Sequence, residues 1–412
     1  MKDDYTISDK HVPLRVAAFV LAFIVAVGAI TVGVTNIGRK QAGYNTVEPA
    51  ADDSAPLYAA GTALQYRFSG SRSQIKESYN ALQRDHSAAL ARAYKLLDAE
   101  NLYAGLPNLA ALNRSGGAET EVPEELYAIL LDALARTREG KGYNMFAGAL
   151  YAAWTDILIL SDPEGFDPVN DPDQRERLAR LAAATADLDN FTLEVVSPER
   201  HSLRFTVSAA YMALLEELEI DAPVLELNLL HDAYELSLVR DALEAKGWTE
   251  GYLESDSGLT LLLSGQEELQ VRIYGLRQGT PTPAASAPVS RGAAVSRFRA
   301  FALAEDEVCF YTLTDDAGGT VFRHPYLTAA GEYPGVASSS LAVSGDGSAV
   351  EAVWANIRLW SCRDEGEIRA LERTEPAAVG WTLPEGGQEI YINPAGEGKI
   401  LPAEEYGWIA GR

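Results

Sequence analysis

Basic residues are scarce in this chain: 34 Lys and Arg stand against 59 Asp and Glu, a formal net charge of -25 over 412 residues. A surface so acidic repels a phosphate backbone, and no Lys/Arg cluster with interleaved aromatics offsets it, which excludes nucleic acid as a partner. An anionic ligand needs donors of its own, such as a helix N-terminus, against that general field. Cysteine is nearly absent, and Cys309 and Cys362 are the two present. No CxxC or Cys/His spacing points to zinc. Two readings of the pair stay open: separate buried thiols, or, outside the cytoplasm, a bridge closing a loop of about fifty residues. The five histidines (His11, His86, His201, His231, His324) show no ligand spacing. The GxSxG elbow, HExxH, the GxxxxGK phosphate loop and GxGxxG are all missing, which leaves no ready-made nucleophile, zinc or nucleotide signature.

Long apolar runs are also rare, with one exception. Val16 to Val34 (VAAFVLAFIVAVGAITVGV) carries no charge, and a helix of that length rises about 28 Å, close to the roughly 30 Å hydrocarbon core of a bilayer. The run exceeds a signal-peptide core and no small-x-small cleavage site follows it, so an uncleaved anchor is expected. Lys2, Lys10 and Arg15 precede the span while Arg39 and Lys40 follow it, which favours a cytoplasmic N-terminus. The expected organisation is a cytoplasmic tail at 1–15, a membrane anchor at 16–34, a tether at 35–58 and a domain at 59–412. Within that domain, Gln278 to Gly292 (QGTPTPAASAPVSRG) is poor in bulky apolar residues and reads as a loose insertion or a boundary between two domains.

What remains is globular, with 47% apolar and 23% charged residues. Ile75, Tyr79, Leu82, Ala89, Ala93 and Leu96 recur at helical spacing, predicting an amphipathic helix over Ser73 to Ala99. Pro123 followed by Glu124 and Glu125 opens a second helix, with Leu126, Ile129, Leu130, Ala133 and Leu134 on one face. Asp171-Pro172-Asp173-Gln174 is a further helix start. Phe191 to Val196 and Ser202 to Val207 alternate as hairpin strands. Val224 to Leu230 reads as a buried strand, followed by a helix over Glu235 to Lys246 closed by Gly247, with Asp232 as a cap near its start. Ser348 to Trp360 is another helix among late strands. The sum is an α+β fold.

Laid in order, these segments resemble one family. Ala60-Gly61-Thr62 is similar to an MGT strand opening, and Tyr103 to Gly117 (YAGLPNLAALNRSGG) to YDPDSELSRLNRSGG. Glu121 to Leu126 (EVPEEL) is similar to VSPEL, and Gly142 to Trp154 (GYNMFAGALYAAW) to GAFDITVGPLVDLW. Glu226 to Ser237 (ELNLLHDAYELS) falls where the family has DLGGIAKGYAVD, and His324 to Pro334 (HPYLTAAGEYP) where it has HILDPRTGYP. The chain from about Ala60 onward therefore resembles the FAD:protein FMN transferase (ApbE-like) family. The resemblance implies a T-fold-like domain outside the bacterial cytoplasmic membrane, tethered at the cell membrane. It implies Mg²⁺-assisted cleavage of FAD, because attack on a pyrophosphate builds charge that must be neutralised. It also implies transfer of FMN to a threonine of an acceptor, such as a membrane redox flavoprotein.

The family's chemistry does not carry over residue by residue. Its metal-binding Asp falls on Glu351, and the Thr one turn later on Ala355, which has no side-chain oxygen. The Lys of AKG falls on Asp232, its paired glycines on Asn228 and Leu229, and NLGGN on Glu254 to Gly258. The Asp of HILDP falls on Leu327, and STSG on Ser296 to Arg299. No catalytic residue is assigned. Tyr103, Tyr234 and His324 are the candidate flavin contacts and Glu351 the candidate metal residue. The bland alternatives are half-buried tyrosines, a structural loop histidine and a solvated glutamate. The leading expectation is a membrane-anchored homologue that has lost catalysis and acts by holding a flavin or a partner protein. An active Mg²⁺-dependent transferase or FAD pyrophosphatase with a remodelled site, and an unrelated tethered α+β binding module, stay open.

Overall fold

Alternation along the strands sorts the apolar residues onto two faces of one large sheet, and each face is covered by a different layer. The computed structural model describes residues 42–50, 61–160, 162–289, 291–304, 307, 309–315, 317–333, 335–383, 389–393, 400–403 and 408–410. The expected tail and anchor lie outside these residues, as does Ala60. Among the described residues no helix is long and apolar enough to cross a membrane.

Among the described residues the sheet has nine strands. In spatial order they are Gly43–Val47, Thr62–Phe68, Gly251–Ser255, Leu259–Leu262, Ala294–Arg299, Ser339–Ser344, Ala378–Thr382, Glu389–Ile392 and Ile409–Ala410. The last pair is parallel and the others are antiparallel. Ala294 and Phe298, Ala342, Val379 and Tyr391 point to one core. Val295, Leu341 and Val343, Ala378 and Ile390 point to the other. This is the period-two rule of a sheet buried on both sides. Helices Arg72–Leu97, His231–Glu244 and Ala349–Trp360 cover the first face. A second, three-stranded sheet built on Leu269–Arg277 and Thr280–Val289 covers the other.

A helical lobe made by the chain between residues 109 and 230 adjoins the helical layer. It contains helices Glu124–Glu139, Gly148–Leu158, Pro172–Ala186 and Ala209–Glu217, with a small sheet from Glu119–Glu121, Phe191–Ser197 and Ser202–Val207. The helix expected from residue 73 runs Arg72–Leu97 and buries Ile75, Tyr79, Leu82, Leu90, Ala93 and Leu96. Asp171 caps its helix as expected, accepting from the backbone N–H groups of Asp173 and Gln174.

Four expectations are corrected. The tether is not wholly irregular, because Gly43–Val47 pairs with Thr62–Phe68 and buries Val47 completely. The segment read as a loose insertion is instead strand Thr280–Val289, paired along its length with Leu269–Arg277. Its small Ala284, Ala285 and Ala287 are buried in the core against the main sheet. Val224 to Leu230 is buried but forms no strand. Its backbone bonds to a neighbouring loop and side chain rather than to a ladder: Glu226 N–H donates to Met145 O, Gly148 N–H to Val224 O, and Asn113 bonds both the N–H and the C=O of Leu225. The following helix starts at His231, four residues before the expected Glu235, and Asp232 makes no capping bond.

Candidate functional site

The helix Ala349–Trp360 is fixed from both ends. Ser348 caps it, its hydroxyl accepting from the Glu351 N–H at 3.1 Å. Deeper in, Asn356 donates to Ser296 at 2.9 Å and accepts from Ser340 at 2.8 Å, and Trp360 Nε1 donates to Ser340 at 2.6 Å. These buried, mutually satisfied groups lock the helix onto two central strands and so set where Glu351 points.

Glu351 meets an arginine. Arg136 Nη2 lies 2.6 Å from Glu351 Oε1, and Arg136 Nε lies 2.9 Å from Asp132 Oδ2, one turn earlier on helix Glu124–Glu139. The guanidinium stacks over the Trp354 ring at 5.2 Å. Tyr234, from helix His231–Glu244, donates its hydroxyl to the same Asp132 oxygen at 2.6 Å. Burial alone would lower the Arg136 pKa, but the bonds to Asp132 and Glu351 outweigh it and raise it. Burial first, and then the bond to Asp132, push Tyr234 far above the ordinary phenol. The cluster is thus a fixed cation between two carboxylates, with a neutral phenol beside them.

Two of the four sequence candidates, Tyr234 and Glu351, therefore come together. The other two lie elsewhere. Tyr103 donates to Asp98 at 2.7 Å beyond the end of helix Arg72–Leu97, with Lys95 over its ring at 5.8 Å. His324 is 2% exposed, and its ring meets the faces of Tyr333 and Trp360 at right angles. Its Nδ1 accepts from the Tyr326 N–H at 3.2 Å. Burial, reinforced by the charge of Arg323, lowers its pKa to about 3, so the imidazole is neutral. Asp132 and Arg136 went unnoticed in the sequence. Their i, i+4 spacing is a visible helix ion pair, but nothing local announced Glu351 as a third member.

The segments matched to the family motifs converge beside the start of helix His231–Glu244. Asp256 N–H donates to Gly61 O at 2.8 Å, Tyr326 Oη donates to Ser257 O at 3.3 Å, and Arg297 N–H donates to Gly258 O at 3.1 Å. Gly258 has φ +90°, and a Cβ there would lie 2.4 Å from Arg297 O, so the close approach requires glycine. Burial and the nearby Asp232 charge raise the Asp256 carboxyl. Close by, His231 Nδ1 lies 3.3 Å from Glu226 Oε1. Burial opposes its protonation, yet the Glu226 bond and the charges of Glu226, Glu235 and Asp232 raise it to about 9. Glu235 is 1% exposed with neither oxygen hydrogen-bonded among the described residues, and burial lifts it to about 7.

A cleft of about 690 Å³ opens at the far, C-terminal end of helix Ala349–Trp360, lined in part by Lys141, Asn144, Thr328, Arg358 and Cys362. Burial raises the Cys362 thiol to about 11, and both cysteines are free. The cleft's lining includes Thr137, the residue after Arg136, but none of Asp132, Arg136, Tyr234 or Glu351.

The residues do not fit the magnesium ion that the sequence resemblance implies. Ala355 is fully buried and offers no oxygen, and the Glu351 oxygen is held by Arg136. Mg²⁺ demands a near-octahedral oxygen shell at about 2.1 Å. Among the described residues no three His, Cys, Asp or Glu side chains come together to hold a metal.

The chain has the fold of the ApbE flavin transferases. It is similar to the flavin transferase ApbE from Vibrio cholerae, at 10% identity and a TM-score of 0.52, over 85% of this chain and 97% of that one. It is likewise similar to the ApbE protein of Thermotoga maritima, at 15% identity and a TM-score of 0.54, over 88% and 98%. No protein-family model matches the sequence, and no curated protein does.

Proposed function

We propose that this chain is a membrane-anchored, extracytoplasmic protein of flavin-transferase fold that holds FAD or a partner protein without carrying out Mg²⁺-dependent FMN transfer. The observation that carries the reading is the Arg136–Glu351 ion pair: the residue in the metal position already has a cation, and its helical partner is Ala355. Three further replacements point the same way, with Asp232 in place of a lysine and Asn228 and Leu229 in place of glycines. Tyr103 and Tyr234 spend their hydroxyls on Asp98 and Asp132, so flavin recognition through them requires exchange of an internal bond. The anchor is Val16 to Val34, and a membrane redox flavoprotein is the partner class that the sequence resemblance implies.

The test titrates the full chain in detergent with FAD, following flavin fluorescence and AMP release. Saturable binding without AMP release supports a flavin-holding role. Absence of binding moves the function to a protein partner. AMP release that depends on Mg²⁺ contradicts the proposal. A second reading, an active enzyme with a remodelled site, is favoured by one observation: burial first, and then the Asp232 charge, raise the Asp256 carboxyl at the motif junction.

A further inference from the structure

We infer that Arg136 is a built-in replacement for a divalent cation, and that it makes this site metal-free by construction. The inference rests on the fold but not on flavin binding. Three separate elements meet at its guanidinium: its own helix through Asp132, helix Ala349–Trp360 through Glu351 and Trp354, and helix His231–Glu244 through Tyr234 on Asp132. A metal ion in such a place does two things. It neutralises converging carboxylates, and it ties together elements far apart in sequence. Arg136 does both with N–H donors in a fixed plane, at 2.9 and 2.6 Å.

The guanidinium also excludes an ion by charge. It is 12% exposed, and its pKa is raised by its two carboxylate bonds. A divalent cation seeking Glu351 must displace a group that cannot deprotonate and is held by two carboxylates. Asp132 and Glu351, by contrast, are 42% and 40% exposed, so their outer oxygens are reachable once the arginine is gone. The two carboxylates are close enough to share one guanidinium edge, and small side-chain rotations would let them share one ion.

The test is Mn²⁺ binding to the full chain in detergent, read from the loss of the free-ion electron paramagnetic resonance signal. Wild type and Glu351→Gln are expected to bind Mn²⁺ indistinguishably. Arg136→Met is expected to gain about tenfold in Mn²⁺ affinity, and the double variant Arg136→Met/Glu351→Gln to lose that gain. Wild-type binding that Glu351→Gln weakens about tenfold would overturn the inference, because Glu351 would then hold metal despite Arg136. A folded Arg136→Met that binds no better than wild type would overturn it as well. Should Arg136→Met not fold, the wild-type and Glu351→Gln comparison decides alone. Since the readout is the ion and not FAD turnover, a failure here is distinct from a failure of the flavin proposal.

Discussion

Arg323 and Arg136 make nearly the same contacts in two different settings. Each bonds an aspartate, lies over a tryptophan and shares its carboxylate with a tyrosine hydroxyl. Arg323 binds Asp167 through both oxygens, at 2.6 and 3.0 Å, where Asp167 is wholly buried and Tyr311 donates to it at 2.8 Å. Arg136 binds two different carboxylates, and both of these reach solvent. The first arrangement spends all its bonding capacity inward and joins the helical lobe to the hairpin Tyr311–Thr314 and Thr320–Arg323. The second leaves carboxylates that reach solvent, 42% and 40% exposed. Burial of the carboxylates, not the identity of the arginine, separates a structural pair from a site.

That contrast is sharpest in the cost of removing each arginine. Arg323→Met leaves Asp167 buried and unpaired, so stability should fall by about 3–5 kcal/mol in denaturant unfolding. A loss below about 1 kcal/mol would erase the distinction between the two pairs. Arg136→Met should cost less, roughly 1–2 kcal/mol, because water can reach both abandoned carboxylates. A cost equal to that of Arg323→Met would mean that the Arg136 cluster is structural too.

The smallest effect is a pH dependence beside the site. His231, raised to about 9 by Glu226, binds more protons folded than unfolded between its ordinary value of 6.5 and about 9. Its contribution is therefore complete below pH 6.5 and is lost as pH rises through about 9. Glu226→Gln should flatten that slope by on the order of 1 kcal/mol, measured as chemical unfolding at pH 6 and pH 9.5. An unchanged slope would remove Glu226 as its cause.

Helices Arg72–Leu97 and Glu124–Glu139, the second of which carries Asp132 and Arg136, were legible in the sequence because their apolar residues keep a period of three to four, as Ile75 to Leu96 and Leu126 to Leu134 do. The order of the motif segments also read correctly into a fold. Strand Thr280–Val289 was illegible because its inward residues are alanines, which carry no strand signal until a second layer is seen to cover them. Val224 to Leu230 misled for the opposite reason: its burial is real, but its hydrogen bonds go to Met145, Gly148 and Asn113. Half of the Arg136 cluster lay in plain view as Asp132 and Arg136 one turn apart. The other half, Glu351, stands 215 residues away, and no local pattern links the two.

We propose that the fold persists while its metal-dependent step does not, and one assay addresses this directly. AMP release from FAD is measured for wild type and for Glu351→Asp/Ala355→Thr, each with and without Mg²⁺. No Mg²⁺-dependent release is expected from either protein, because Arg136 lies beside position 351 and Asp232 brings a negative charge where the sequence resemblance places a lysine. Mg²⁺-dependent AMP release by the wild type would contradict it.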